Sequence, residues 1–231
     1  MFKKYLSTVL IALSLTISFS SIQAHETSDP LVVLEGATTE IIKQVKAKQP
    51  AIDRNPDLIL ELIEEIVFPH VDFDYMSRWV IGRSMWKKAS DKDRLAFRDE
   101  FKVLLLRTYA NVVREYANEK IVYYPIRADY DDKKRIQISS SITQTNRDPI
   151  DVVYRLVLSS DGEWKLYDIV IEGVSLLKGF QSQFYDTLRQ SGLAGLVIEV
   201  RQHNLDDKMK READLKAKQK EVKKGDADVG A

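Results

Sequence analysis

The chain predicts an α+β domain, a four-stranded antiparallel sheet covered by several helices. Three observations carry this. Apolar residues recur at helical spacing from Leu31 to Tyr116, alternate strictly from Ile121 to Glu172, and return to helical spacing near Ser175. The connections between the alternating segments suit a meander. The two central strands carry apolar groups on both faces, so both faces need cover.

The elements follow in order. Ser28-Asp29-Pro30 opens a helix, with Pro30 suited to the first turn. Leu31, Leu34, Ile41, Ile42 and Val45 form its stripe, which ends near Gln49-Pro50. Asn55-Pro56-Asp57 opens a second helix, and Leu58, Ile59, Leu62, Ile63, Ile66 and Val67 form a wide apolar band until Pro69. Phe73 to Gly82 reads as a short helix. Ser90 with Asp93 starts a long one to about Asn118, with Leu95, Phe101, Leu104, Leu105, Tyr109, Val112 and Tyr116 on its predicted inner face. Four strands follow, at Ile121–Ile126, Arg135–Ile142, Ile150–Leu158 and Trp164–Glu172. A helix begins near Ser175 and carries Phe180, Phe184 and Leu188. Gly192 and Gly195 interrupt it, and a last helix starts near Leu196 and enters a charged tail.

Asp161-Gly162 is a hairpin signal. A two-residue loop there places Arg155 opposite Asp168, Tyr154 opposite Ile169 and Val152 opposite Ile171. A four-residue loop shifts the pairs by two and keeps the same faces. One face then holds Ile150, Val152, Tyr154, Leu156, Tyr167, Ile169 and Ile171. The other holds Val153, Arg155, Val157, Trp164, Leu166, Asp168 and Val170. Arg155 and Asp168 read as a cross-strand ion pair. Periodicity alone does not separate a packed core from a cavity on either face.

The first 24 residues read as a secretory signal peptide: Lys3 and Lys4, an apolar run from Leu6 to Phe19, and a small-residue site ending at Ala24. That run, about 14 residues, is short of the ~20 that span a bilayer. The expected organisation is a leader over 1–24, one domain over 25–203, and a charged tail over 204–231 that is helical or disordered. The 231-residue chain has 35 basic and 35 acidic residues and no cysteine. Removing the leader leaves 33 basic against 35 acidic. This balance argues against nucleic-acid binding, and no disulfide framework is available.

Motifs for chemistry are sparse. His25, His70 and His203 have no metal-ligand spacing. There is no GxSxG elbow, P-loop or GxGxxG. Asp72 and Asp74 could bind a cation, but capping is the simpler reading. Asp168 and Glu172 share a strand face without defining a glycosidase pair. The tail's Lys208, Lys210, Arg211, Lys216, Lys218 and Lys220 are interleaved with acids, as on a solvated helix.

Tyr167-Asp168 runs through to Glu172-Gly173-Val174-Ser175, Gln181 to Phe184 follow, and upstream stand Pro69 to Asp74 with Met76, Arg78, Gly82 and Trp86. Together these segments resemble the MlaC family, also called the toluene-tolerance Ttg2 or ABC-transport auxiliary family. The resemblance spans about Pro30 to His203. It implies an NTF2-like elaboration whose curved sheet and helices enclose an apolar cavity. It also implies a soluble, monomeric periplasmic phospholipid carrier, with no catalytic residue, cofactor or metal. The implied partners are an outer-membrane lipoprotein–porin complex and an inner-membrane ABC transporter bearing an MCE-domain protein, and the implied role is maintaining outer-membrane lipid asymmetry. Under that resemblance Tyr109 and Ile150 fall where the family places lipid-facing groups. Parity adds Val152, Tyr154, Ile169 and Ile171, with Phe180 or Phe184 closing the cavity. Two readings compete with the carrier: a small-molecule enzyme on a similar fold, and a solid-cored adaptor for a transporter.

Overall fold

The computed structural model describes residues 29–127, 129–130, 132–144 and 147–229, with side chains to residue 217. The expected leader and His25 lie outside the described residues. Helix α1 (Pro30–Ala47) starts at Asp29, whose carboxylate accepts from Leu31 N–H at 2.8 Å. Short α2 (Gln49–Arg54) and α3 (Leu58–Ile66) follow. A 3₁₀ turn over Phe68–His70 leads to α4 (Phe73–Ile81), which Asp72 caps through Tyr75 N–H at 2.8 Å. Asp74 instead pairs with Arg98 at 3.4 Å. Helix α5 (Arg83–Lys88) precedes α6 (Asp91–Tyr116), capped by Ser90 Oγ through Asp93 N–H at 3.1 Å.

The inner face of α6 differs from the expected one. Phe97, Phe101, Leu104, Leu105, Leu106 and Ala110 are buried, whereas Leu95 and Val112 are exposed. The helix packs against α3 on one side and the C-terminal helix on another, so its apolar surface is broader than one stripe.

The sheet has five strands in sequential antiparallel order: β1 (Lys120–Tyr123), β2 (Arg135–Thr143), β3 (Ile150–Leu158), β4 (Trp164–Ile171) and β5 (Val174–Ser175). The added strand follows a two-residue turn at Glu172-Gly173, both with positive φ (49° and 79°). That is the backbone of the tight primed hairpin turns. Glu172 also fastens the turn to β3: its Oε1 accepts from Asp151 N–H at 2.6 Å, and its own N–H donates to Asp151 O at 3.0 Å.

The β3–β4 loop has three residues rather than two or four. Ser159 N–H donates to Glu163 O at 2.8 Å, and Gly162, at φ 85°, donates to Ser159 O at 3.1 Å. Asp161 Oδ1 accepts from Glu163 N–H at 3.2 Å. That bond and further ones from Ser159 and Lys165 hold the carboxyl down at about 2. The odd loop sets Leu158 opposite Trp164 and Leu156 opposite Leu166. A bulge beside Arg155 then restores the expected pairs, Arg155–Asp168, Tyr154–Ile169 and Val152–Ile171. Near the turn the expected faces are therefore exchanged. Trp164 and Leu166 share the Tyr154 face, and Tyr167 turns to the other one, where it meets Tyr75 at 4.8 Å.

Helical structure over Leu176–Val229 (α7) breaks at Gly192, with φ 65° and ψ −168°. That region of backbone space is almost closed to residues with a Cβ. The helix runs through residue 203 without a break. Asn204 is buried, and its side-chain amide donates to Glu100 O at 3.0 Å. Arg107 Nη1 donates to Asn204 O at 2.8 Å, and Arg211 Nη2 donates to Arg107 O at 2.8 Å. The beginning of the expected tail is thus docked along α6. Gly192→Ala is expected to cost about 2 kcal/mol. That corresponds to a melting temperature lowered by about 6 °C, checked by thermal unfolding followed by circular dichroism.

Candidate functional site

The two apolar faces of the sheet serve different compartments. On the α7 side, Val157 and Tyr167 join an aromatic core between α4, α6 and α7. Phe97 and Phe101 stack at 5.3 Å, and Phe101 meets Phe180 edge-on at 5.1 Å. Phe184 approaches Phe180 at 5.6 Å, and Tyr109 meets Phe180 at 6.5 Å. Three of the predicted cavity residues, Tyr109, Phe180 and Phe184, therefore sit in this core. The reason is geometric: the apolar side of α7 meets α6, and α1 covers the opposite sheet face.

That opposite face bounds an apolar pocket of about 200 Å³. Its roof is α1, through Val33, Leu34, Ala37, Thr38, Ile41 and Ile42. Its floor is Tyr154, Leu156, Trp164, Leu166 and Ile169 of β3 and β4. Val67, His70 and Val71 close one side, and Val113, Tyr116 and Ile121 another. Of the predicted residues, Tyr154 and Ile169 line this pocket. Val152 and Ile150 lie on the same face but pack with the sheet cluster outside the lining. Ile171 is 41% exposed and outside the lining.

Alternation explains the floor, and the bulge explains why Trp164 and Leu166 join it. The roof comes from the face of α1 adjoining its buried Ile41 and Val45. Residues 33, 34, 37, 38, 41 and 42 recur at the three-and-four spacing of one helical face. Leu34, Ile41 and Ile42 already stand in the apolar stripe read from the sequence, and Val33 and Ala37, which widen that stripe on one side, are the signal for the rest.

Thr38 on the pocket roof is tied to Tyr123, which lies outside the lining. Tyr123 Oη donates to Thr38 Oγ1 at 2.8 Å, and Thr38 Oγ1 donates to Leu34 O at 2.8 Å. This chain latches β1 to α1. The Tyr123 and Tyr154 rings lie 5.9 Å apart. Burial pushes both phenols above their ordinary range, so both stay neutral as donors.

Asp168 lies beneath the other face at 1% exposure. Its Oδ2 accepts from Arg155 Nη1 at 2.9 Å and Ser175 Oγ at 2.7 Å. Its Oδ1 accepts from Leu177 N–H at 3.1 Å. Every oxygen is thus committed to donors that join β3, β4 and the first turn of α7. Among the described residues no group of acidic or histidine side chains is arranged to hold a metal ion. No helix among them is long and apolar enough to cross a membrane.

A curved antiparallel sheet whose one face is roofed by a helix over an apolar pocket defines the class, an α+β protein with a helix-covered sheet. A model of the MlaC protein family matches residues 35–202, and the chain belongs to that family. It is 31% identical over 163 residues to the toluene tolerance protein ttg2D of Pseudomonas putida, covering 71% of this chain and 74% of that one. It is 28% identical over 179 residues to the intermembrane phospholipid transport system binding protein MlaC of Haemophilus influenzae, covering 77% and 82%. Among solved structures it resembles a phospholipid-binding protein from Ralstonia solanacearum in complex with a phospholipid. That match has a TM-score of 0.69 and 28% identity, and it covers 78% of this chain and 99% of the other.

Proposed function

We propose that this protein is a periplasmic phospholipid carrier, exported by a cleaved leader over residues 1–24. On this reading it shuttles lipid between an outer-membrane lipoprotein–porin complex and an inner-membrane ABC transporter with an MCE-domain protein, and so maintains outer-membrane lipid asymmetry. The observation that carries the reading is the apolar pocket between α1 and the sheet, in a fold similar to one that holds a phospholipid. The lipid moves unchanged, so no catalytic group, metal or cofactor is required.

The energetics favour enclosure. A diacyl lipid has about 30 methylenes, and exposing them to water costs roughly 20 kcal/mol or more at ~0.8 kcal/mol each. The pocket's 200 Å³ falls below the roughly 300–1,000 Å³ of ordinary ligand cavities. Loading two acyl chains therefore requires the pocket to widen, and on this reading α1 lifts from the sheet. Among the described residues, few side-chain polar contacts oppose that movement beyond the Tyr123–Thr38 latch. Native mass spectrometry of the exported protein is expected to show a mass increment matching a diacyl phospholipid. A protein that emerges empty, and stays empty after incubation with phospholipid vesicles, would sink the reading.

A further inference from the structure

A second recess lies on the surface formed by α4 and α5, away from the pocket under α1. Between Tyr75 and Ser90 the sequence has four cations, Arg78, Arg83, Lys87 and Lys88, and no carboxylate, in a chain that is neutral overall. All four are exposed. Among the described residues none of the four takes part in an ion pair. Cations nearby behave differently: Arg98 is paired with Asp74 and Asp99, and Arg94 with Asp91.

Helices α4 and α5 meet at an elbow at Gly82, φ 79° and ψ 148°. A cleft of about 510 Å³ opens there, lined by Tyr75, Arg78, Trp79, Arg83, Trp86 and Lys87. Its aromatic walls are held from behind. Tyr75 packs on Tyr167 at 4.8 Å. The Arg94 guanidinium covers Trp86 at 5.6 Å, and its Nε donates to the Trp86 carbonyl at 2.8 Å. The Trp79 carbonyl accepts from Gln181 Nε2 at 3.4 Å. The cleft is thus preorganised, and its free charge is of one sign.

We propose that this cleft is a docking site for an acidic segment of a partner protein. Carboxylates would meet Arg78, Arg83 and Lys87, and an apolar side chain would enter between Trp79 and Trp86. Tryptophan, tyrosine and arginine are the residue types that dominate binding energy at protein interfaces. Unpaired cations around them supply steering and specificity. A bilayer is the weaker fit. Interfacial aromatic rings act by standing at headgroup level, whereas Trp79 and Trp86 are half-buried in the walls of a concavity. The proposal does not depend on what fills the apolar pocket.

The test uses the full chain and a fluorescein-labelled peptide repeating Glu-Asp-Leu, followed by anisotropy. Saturable binding is expected, weakened at least about tenfold by the double variant R83E/K87E and weakened further by salt. The variant's thermal transition should be unchanged, since both sites are exposed. The same charge change at exposed Lys46 and Lys48 of this chain (K46E/K48E) should leave binding intact. Equal weakening by K46E/K48E would reduce the effect to net charge and overturn the proposal. So would undiminished binding by R83E/K87E, or no binding of the peptide at all. Arg83- and Lys87-dependent binding of phosphatidylcholine–phosphatidylglycerol vesicles without peptide binding would overturn it in favour of a membrane.

Discussion

Ile169→Asp is expected to strip the protein of bound phospholipid while leaving it folded. Ile169 is half-buried on the pocket floor, opposite Tyr154 across the strand pair. In the empty protein water reaches part of this position, so a carboxylate there stays partly solvated. An acyl chain entering the pocket would seal it from water, and burial of an uncompensated polar group costs about 2 kcal/mol or more. The penalty therefore falls on the loaded state. At 1.4 kcal/mol per tenfold, affinity for the lipid should drop by at least about 30-fold. Lipid phosphorus per mole of protein measures the loss, and a retained cooperative melt establishes folding. Phe180→Leu supplies the contrast. Its ring lies in the aromatic core with Phe101, Phe184 and Tyr109, not in the pocket. That change should lower the melting temperature and keep the lipid. Full lipid occupancy in a folded Ile169→Asp variant would remove the pocket from the function.

Part of the pocket floor was legible in the residues. Tyr154 and Ile169 follow from strand alternation, because parity separates faces wherever the register is regular. The roof on α1 was harder, since an apolar helical band looks the same whether it meets side chains or a ligand. Tyr109, Phe180 and Phe184 show the complementary limit. A sheet with two apolar faces supports two compartments, and sequence alone does not say which helix covers which face. Leu95 and Val112 fail for a related reason. A helix that packs on several neighbours buries several stripes, and the stripe read from the sequence was partly the exposed one.

The register of the central hairpin was legible through two errors that cancel. The loop has three residues, which should shift every pair by one. The bulge next to Arg155 inserts one residue in β4 and shifts them back. Pairs beyond the bulge therefore agree with the two-residue expectation, and pairs before it do not. The bulge also makes Tyr167 and Asp168 point the same way, toward α4 and α7. This is how one short stretch supplies both a ring to the aromatic core and a carboxylate to the start of α7. The fifth strand had a local signal in Glu172-Gly173, but a two-residue strand is too short to alternate visibly.

Asp168→Ala is expected to lower stability by about 3 kcal/mol, the low end for breaking a buried ion pair. The carboxylate is 1% exposed and has three donors from two strands and a helix start. Its removal leaves Ser175 Oγ–H and Leu177 N–H without that acceptor, in a setting where Ser175 Oγ itself accepts from Lys178 N–H at 3.2 Å. It also takes a negative charge from the positive end of α7. Arg155 is 29% exposed, so water recovers part of its loss and keeps the cost at that low end. For a domain of this size the shift corresponds to about 6–12 °C in melting temperature. Asp168→Asn should fall between: it keeps one acceptor oxygen but turns an amide toward the donors, a loss of about 1–2 kcal/mol. Lipid bound per folded molecule should remain at the wild-type level in both variants, because Asp168 and Tyr154 lie on opposite faces of the sheet. A melting temperature within about 2 °C of wild type for Asp168→Ala, under 1 kcal/mol, would mean that the cluster is not what fastens α7 to the sheet. Loss of lipid without loss of stability would instead place Asp168 in the binding function.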